Sequence, residues 1–300
     1  MNVAVATVLV AALCAAACAT IGLFLVLRRS AMVADAISHA ILPGLVLGYV
    51  LVGGPGLRGG IVGAAVAGGV LLLLTNLLVR SGIVEGSAAL GVVFPAMFAL
   101  GAAIVARDFA NVHLDADAVL YGNIEFVAFD RLVIAGRDLG PRPLWLMAGL
   151  ALANLLAIWR WWPQLKVTTF DPGLALTIGI APGVVQVGLM TLLTATSVGA
   201  FTAVGAALAI ALLVAPPATA LLLTDRLGEA LAVAVAIGIA GAALGYRLAV
   251  LLDASVAGAI VTVLGAAFVL ALLIAPAHGA IPRWVRRRRT LIAPLEQHAP

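Results

Sequence analysis

Asp35 and His39 are the residues of this chain whose types and spacing could do chemistry. They stand four apart in the stretch Arg28-Arg29-Ser30-Ala31-Met32-Val33-Ala34-Asp35-Ala36-Ile37-Ser38-His39-Ala40-Ile41-Leu42-Pro43-Gly44, and on a helix that spacing puts them on one face. His39 lies about 15 Å of helix beyond Arg29, which sets it near mid-bilayer if Arg29 marks the membrane edge. An ionisable group at that depth is costly and by default marks a pathway or a proton relay. Imidazole with carboxylate is a ligand pair for zinc, manganese or iron(II). The bland alternative makes Asp35 an interfacial helix cap and bonds His39 to a nearby carbonyl. Spacing alone divides the two evenly. Two ligands do not complete a metal site, so others must come from elsewhere in the fold or from water. Pro43-Gly44 is expected to break or kink the segment, as in a discontinuous helix lining a cavity.

Phe170-Asp171-Pro172-Gly173-Leu174-Ala175 is the second candidate. Asp171 is a good N-cap and Pro172 suits the first helical position, so a short helix is predicted to start here. It is either a plain capped surface helix, which spacing alone favours, or a lever docking on a cytoplasmic partner. Pro216-Pro217 falls inside an apolar run, where paired prolines bend a helix and serve packing or gating equally. Cys14 and Cys18, the only cysteines, share a helix face and read as small buried hydrophobes. His113 and the acids Asp108, Asp115, Asp117, Glu125, Asp130 and Asp138 read as a solvated loop rather than a cation collector.

The elements that must hold these residues are membrane spans. The chain is 64% apolar and 10% charged, against about 25% charged in soluble domains, so lipid must be its main solvent. Apolar runs at about 3–27, 36–52, 60–79, 88–106, 143–159, 184–200, 202–223, 229–250 and 254–275 predict an all-α integral membrane protein. About nine helices (eight to ten) are expected, each near the roughly 20 residues that cross a bilayer. Residues 1–280 read as one transmembrane domain and 281–300 as a basic cytoplasmic tail expected to be disordered. No Lys or Arg precedes Arg28, so the first run is read as a retained span rather than a cleaved signal.

Orientation follows from the basic residues. An outside N-terminus puts eleven of the seventeen Lys and Arg on the cytoplasmic side, including Arg286–Arg289, and six outside. That bias favours N-out, C-in. The basic cluster beside the last run suits anionic headgroups rather than nucleic acid. The connection at about 107–142 then lies outside, and that at about 160–183 lies inside as a short helix between turns. Lys166 is the only lysine and no G-x-x-x-x-G-K-[ST] is present, so a phosphate-binding ATPase loop is excluded. The chain is not expected to be an enzyme, and ATP-driven work needs a second protein.

Five stretches, in order, resemble the zinc/manganese/iron permease family of ATP-binding-cassette importers. They are RRSAMVADAISHAILPG at 28–44, GSAALGVVFPAMFALG at 86–101, HLDADAVLYGNI at 113–124, TFDPGLALTIGI at 169–180 and AVGAALAIALLVAPPATALLL at 203–223. The resemblance covers about residues 20–275. It implies a multi-pass protein of a bacterial cell membrane, homodimeric, bound to two ATPase subunits and fed by an extracytoplasmic metal-binding protein. The cargo would be zinc, manganese or iron, with no permanently bound cofactor. Asp35 and His39 are similar to residues lining the metal route, and Phe170–Ala175 looks like the coupling helix that fits a groove on the ATPase. Pro43, Gly44, Pro216 and Pro217 would supply gating kinks. Arg131–Arg142 and Trp159-Arg160-Trp161-Trp162-Pro163 depart from the family pattern. A permease for metal chelates such as siderophores, and a proton-coupled secondary transporter using Asp35 and His39 as its relay, are the competing readings.

Overall fold

In a computed structural model, residues 2–52, 57–108, 124–134, 137–275 and 279 are described. All nine apolar runs fold as long helices. They are α1 (Val3–Leu27), α2 (Ala31–Val52), α3 (Leu57–Arg80), α4 (Gly86–Asp108), α5 (Arg142–Arg160), α8 (Pro182–Val204), α9 (Ala206–Leu223), α10 (Leu227–Leu252) and α11 (Val256–Ile274). Between α5 and α8 lie two short helices, α6 (Trp162–Phe170) and α7 (Pro172–Thr177). Among the described residues, seven helices are long and apolar enough to cross a membrane: α1, α4, α5, α8, α9, α10 and α11.

The core forms around α1. Its sequence is apolar on every side, the pattern of a helix meant to be surrounded, and 72% of its most apolar stretch is buried against 28% for α10 and α11. It is enclosed by α5, α8, α9 and α10. Small residues allow that approach: a Cβ on Gly22 would sit 1.9 Å from the Leu213 carbonyl oxygen of α9, so only glycine fits there. A second group, α2, α3 and α4, packs on itself and meets the rest mainly through α8.

Two local features lie in the connections between the long helices. The 131–141 stretch is an antiparallel hairpin, β1 (Arg131–Ile134) with β2 (Arg137–Pro141). The apolar, partly β-branched run Leu132-Val133-Ile134 favours a strand, and these strands are too short to span a bilayer. Arg131 pairs with Asp138, whose other oxygen accepts from Gly140 N–H at 2.9 Å. The backbone N–H of Gly140 and then the Arg131 guanidinium hold the Asp138 carboxyl below the usual range. Trp145 Nε1 donates to Leu139 O at 3.0 Å, seating the hairpin on α5. The connection between α5 and α8 contains α6 as well as α7. Trp162 at its start packs edge-on against Phe24 of α1, ring centroids 6.3 Å apart. The proposed tail at 281–300 lies outside the described residues.

Candidate functional site

Asp35 and His39 occupy one face of α2, with His39 Nε2 3.5 Å from Asp35 Oδ1. Two ligands bound to one tetrahedral ion at the usual distances near 2.1 Å stand about 3.4 Å apart, so the pair is spaced to share an ion. Helix α4 fixes the imidazole. Phe94 stacks on it at 5.6 Å with planes 25° apart, and Phe98 meets it edge-on at 5.5 Å and 84°. Phe94 and Phe98 are four apart on one helix face, a signal visible in GVVFPAMFALG but not used above. The pair is half open, with His39 side chain 34% and Asp35 48% exposed. Among the described residues no group of three or more His, Cys, Asp or Glu side chains comes together. Among the described residues, one copy of the chain therefore offers two side-chain ligands here.

Pro43 and Gly44 do not break α2, which runs on to Val52. Their neighbours explain them. A Cβ on Gly44 would lie 2.2 Å from Gly63 O, one on Gly63 would lie 2.0 Å from Gly44 O, and one on Gly101 would lie 2.8 Å from Pro43 Cδ. The two backbones of α2 and α3 touch at paired glycines, and the proline ring fills the notch that Gly101 leaves in α4. Pro216 and Pro217 are likewise buried within the continuous α9. Pro217 faces Gly22 of α1, and Pro216 faces Gly238 of α10. Proline rings thus seat against glycines of neighbouring helices. Beside Pro43 and Gly44, a cavity of about 1020 Å³ opens between α2, α3 and α4, lined by such residues as Val66, Val70, Val92 and Leu100. It is apolar and separate from the ligand pair.

Asp171 closes α6 and opens α7, its Oδ1 accepting from Leu174 N–H at 2.9 Å with Pro172 in the first turn. Ala175 points inward and is wholly buried, whereas Phe170 (61%), Leu174 (50%), Leu176 (65%) and Ile178 (55%) are exposed. The open apolar side chains here are therefore Phe170 at the end of α6 and Leu174, Leu176 and Ile178 in and just after α7, and not Ala175. Asp171 and Pro172 shape the segment that presents them.

Two acids of the 107–142 connection have structural roles. Glu125 Oε1 accepts from Val256 N–H at 3.1 Å, capping α11, and Asp138 ties the hairpin. His113, Asp115 and Asp117 lie outside the described residues. Cys14 and Cys18 are fully buried in α1 as free thiols.

Seven apolar helices of membrane-crossing length among the described residues, with an ionisable pair on a further helix, make this a multi-pass membrane protein. A profile of the ABC 3 transport family matches residues 1–275, and the chain belongs to that family. It is 39% identical over 269 residues to the manganese transport system membrane protein MntD of Bacillus subtilis (strain 168), covering 90% of this chain and 91% of that protein. It is 43% identical over 276 residues to the zinc transport system membrane protein TroD of Treponema pallidum (strain Nichols), covering 92% and 75%. Among solved structures it is similar to PsaBC from Streptococcus pneumoniae in complex with Fab, with a TM-score of 0.78, 26% identity and 96% of each chain covered.

Proposed function

We propose that the chain is the membrane-spanning permease of an importer for a divalent transition-metal ion, zinc, manganese or iron(II), driven by ATP hydrolysis on separate ATP-binding-cassette subunits. The observation that carries this reading is the half-open Asp35–His39 pair on α2. Such a pair cannot face hydrocarbon without a large penalty. A water-filled route shared with a second copy of the chain covers it at little cost, which supports a homodimer. The relatives named for manganese and for zinc fit the same ligand chemistry.

The working arrangement is nine spans with the N-terminus outside and the C-terminus inside, supported by the eleven-to-six distribution of basic residues. An extracytoplasmic metal-binding protein delivers the ion at the outer face. Asp35 and His39 of each copy hold it in passing while Phe94 and Phe98 keep the imidazole in position. A two-ligand contribution leaves other coordination positions to water, backbone oxygens or the second copy. That suits transit, because a complete cage would retain the ion. Closure of the ATPase subunits pushes on the exposed side chains of Phe170, Leu174 and Ile178, with Asp171 and Pro172 holding α7 in shape, and the route past Asp35 and His39 opens inward.

The test is cellular uptake of zinc, manganese and iron from limiting medium, comparing the wild type with His39→Ala at equal membrane abundance. The expected result is loss of uptake of one metal by roughly 10-fold or more, a loss that even outer-shell partners of metal ligands commonly bring. Unchanged uptake of a metal that still depends on the chain would remove His39 from the route.

A further inference from the structure

The turn between α1 and α2 carries a polar junction that the functional reading has not yet used. Arg28 caps α1, its N–H donating to Phe24 O at 3.0 Å. Its half-buried guanidinium reaches away from its own helix to three side-chain oxygens. Nε donates to Thr169 Oγ1 at 3.1 Å, Nη2 donates to Thr168 Oγ1 at 2.9 Å, and Nη1 donates to Gln186 Oε1. Thr168 and Thr169 end α6, directly before Phe170 and the Asp171 hinge, and Gln186 is in the first turns of α8. Thr168 Oγ1 passes its own proton to Gln164 O at 2.8 Å, which leaves its lone pairs turned to the arginine.

We propose that Arg28 is a positioning residue that ties the α6–α7 unit to the start of α2, so that movement of α7 is passed to the helix bearing Asp35 and His39. This rests on the coupling role proposed for α7. The geometry suits the task in three respects. Three residues after Arg28, α2 begins, and Asp35 stands in its second turn. A planar fork can hold oxygens on two separate helices at once, which the single point charge of a lysine cannot. All three acceptors are neutral, so the fork can exchange partners as the helices slide, where a buried carboxylate would hold it fast.

Spatial contiguity suggests a link, and only measured coupling establishes it. The experiment reconstitutes the complete complex, permease with its ATPase subunits and binding protein, in proteoliposomes. Metal uptake and ATP hydrolysis are read in the same preparation, and their ratio does not depend on how much complex is folded. Arg28→Gln and the pair Thr168→Val with Thr169→Val are expected each to lower metal moved per ATP by roughly 5-fold or more, the lower end of ordinary allosteric coupling. Combining them should add little, because both cut the same tie. Arg28→Lys should not restore the ratio. If Arg28→Gln yields no complex, the threonine pair, which leaves the arginine in place, carries the test. An unchanged ratio, or fully additive losses, overturns the proposal. Leu174→Arg in the same assay separates the two readings. If it abolishes uptake while Arg28→Gln leaves the ratio intact, only the tie is wrong. If Leu174→Arg leaves both uptake and hydrolysis untouched, the coupling role of α7 falls and the tie with it.

Discussion

Arg29 shows what a single residue can conceal. It holds φ at +56°, in the left-handed position that ends a helix and that glycine usually fills. Ser30 N–H reaches back to Leu25 O at 2.9 Å and Arg29 N–H to Val26 O at 3.0 Å, completing the end of α1. An arginine pays for that conformation with steric strain of about 1–2 kcal/mol, which glycine avoids at some entropic cost. Arg29→Gly is therefore expected to stabilise the purified protein by about 0.5 kcal/mol, read as a higher unfolding temperature in detergent. A lower one would mean the arginine side chain contributes more than its backbone costs. The meeting of Asp35 and His39 was legible at this scale, because a spacing of four on a helix brings two side chains to one face. Ala175 was not: a short helix gives too few turns for its buried side to be read from sequence, and the structure turns Ala175 inward and Leu174 outward.

At the scale of elements, the proline and glycine signals were read as breaks, and the structure makes them contacts. Helices α2 and α9 run unbroken through Pro43, Pro216 and Pro217. A sequence shows that a proline removes a backbone donor but not that a facing glycine leaves room for its ring. The joint of Gly44 against Gly63 sets the separation of α2 from α3. Gly44→Ala is expected to cost about 1–3 kcal/mol, the usual range for overpacking, and to weaken uptake by shifting the helix that carries His39. Gly69→Ala on the same α3 meets nothing within 4 Å and should leave unfolding temperature and uptake unchanged. Equal effects from both substitutions would contradict the joint. The apolar runs themselves were fully legible, since lipid demands long apolar helices. The hairpin at 131–141 was missed because short exposed strands leave almost no pattern and depend on the Arg131–Asp138 pair and Trp145.

At the scale of the whole molecule, the exposed face of α7 should decide assembly. Leu174→Asp changes a half-exposed side chain, so the permease should still fold and insert. Co-purification with its ATPase subunits should fall severalfold, as when a buried interface anchor is lost. Retained co-purification would place the contact elsewhere. The sequence pointed to the segment Phe170–Ala175, but which of its side chains stay open follows only from the packing. The enclosure of α1 has a consequence for biogenesis. The helix that ends with least lipid around it precedes α5, α8, α9 and α10 in the chain, so the helices that enclose it are all made later. Helix α1 must therefore rest in lipid as an independent segment through much of translation. Its evenly apolar surface permits that wait, and its small Ala, Gly and Cys side chains then exchange lipid for close helix contacts as each later segment arrives.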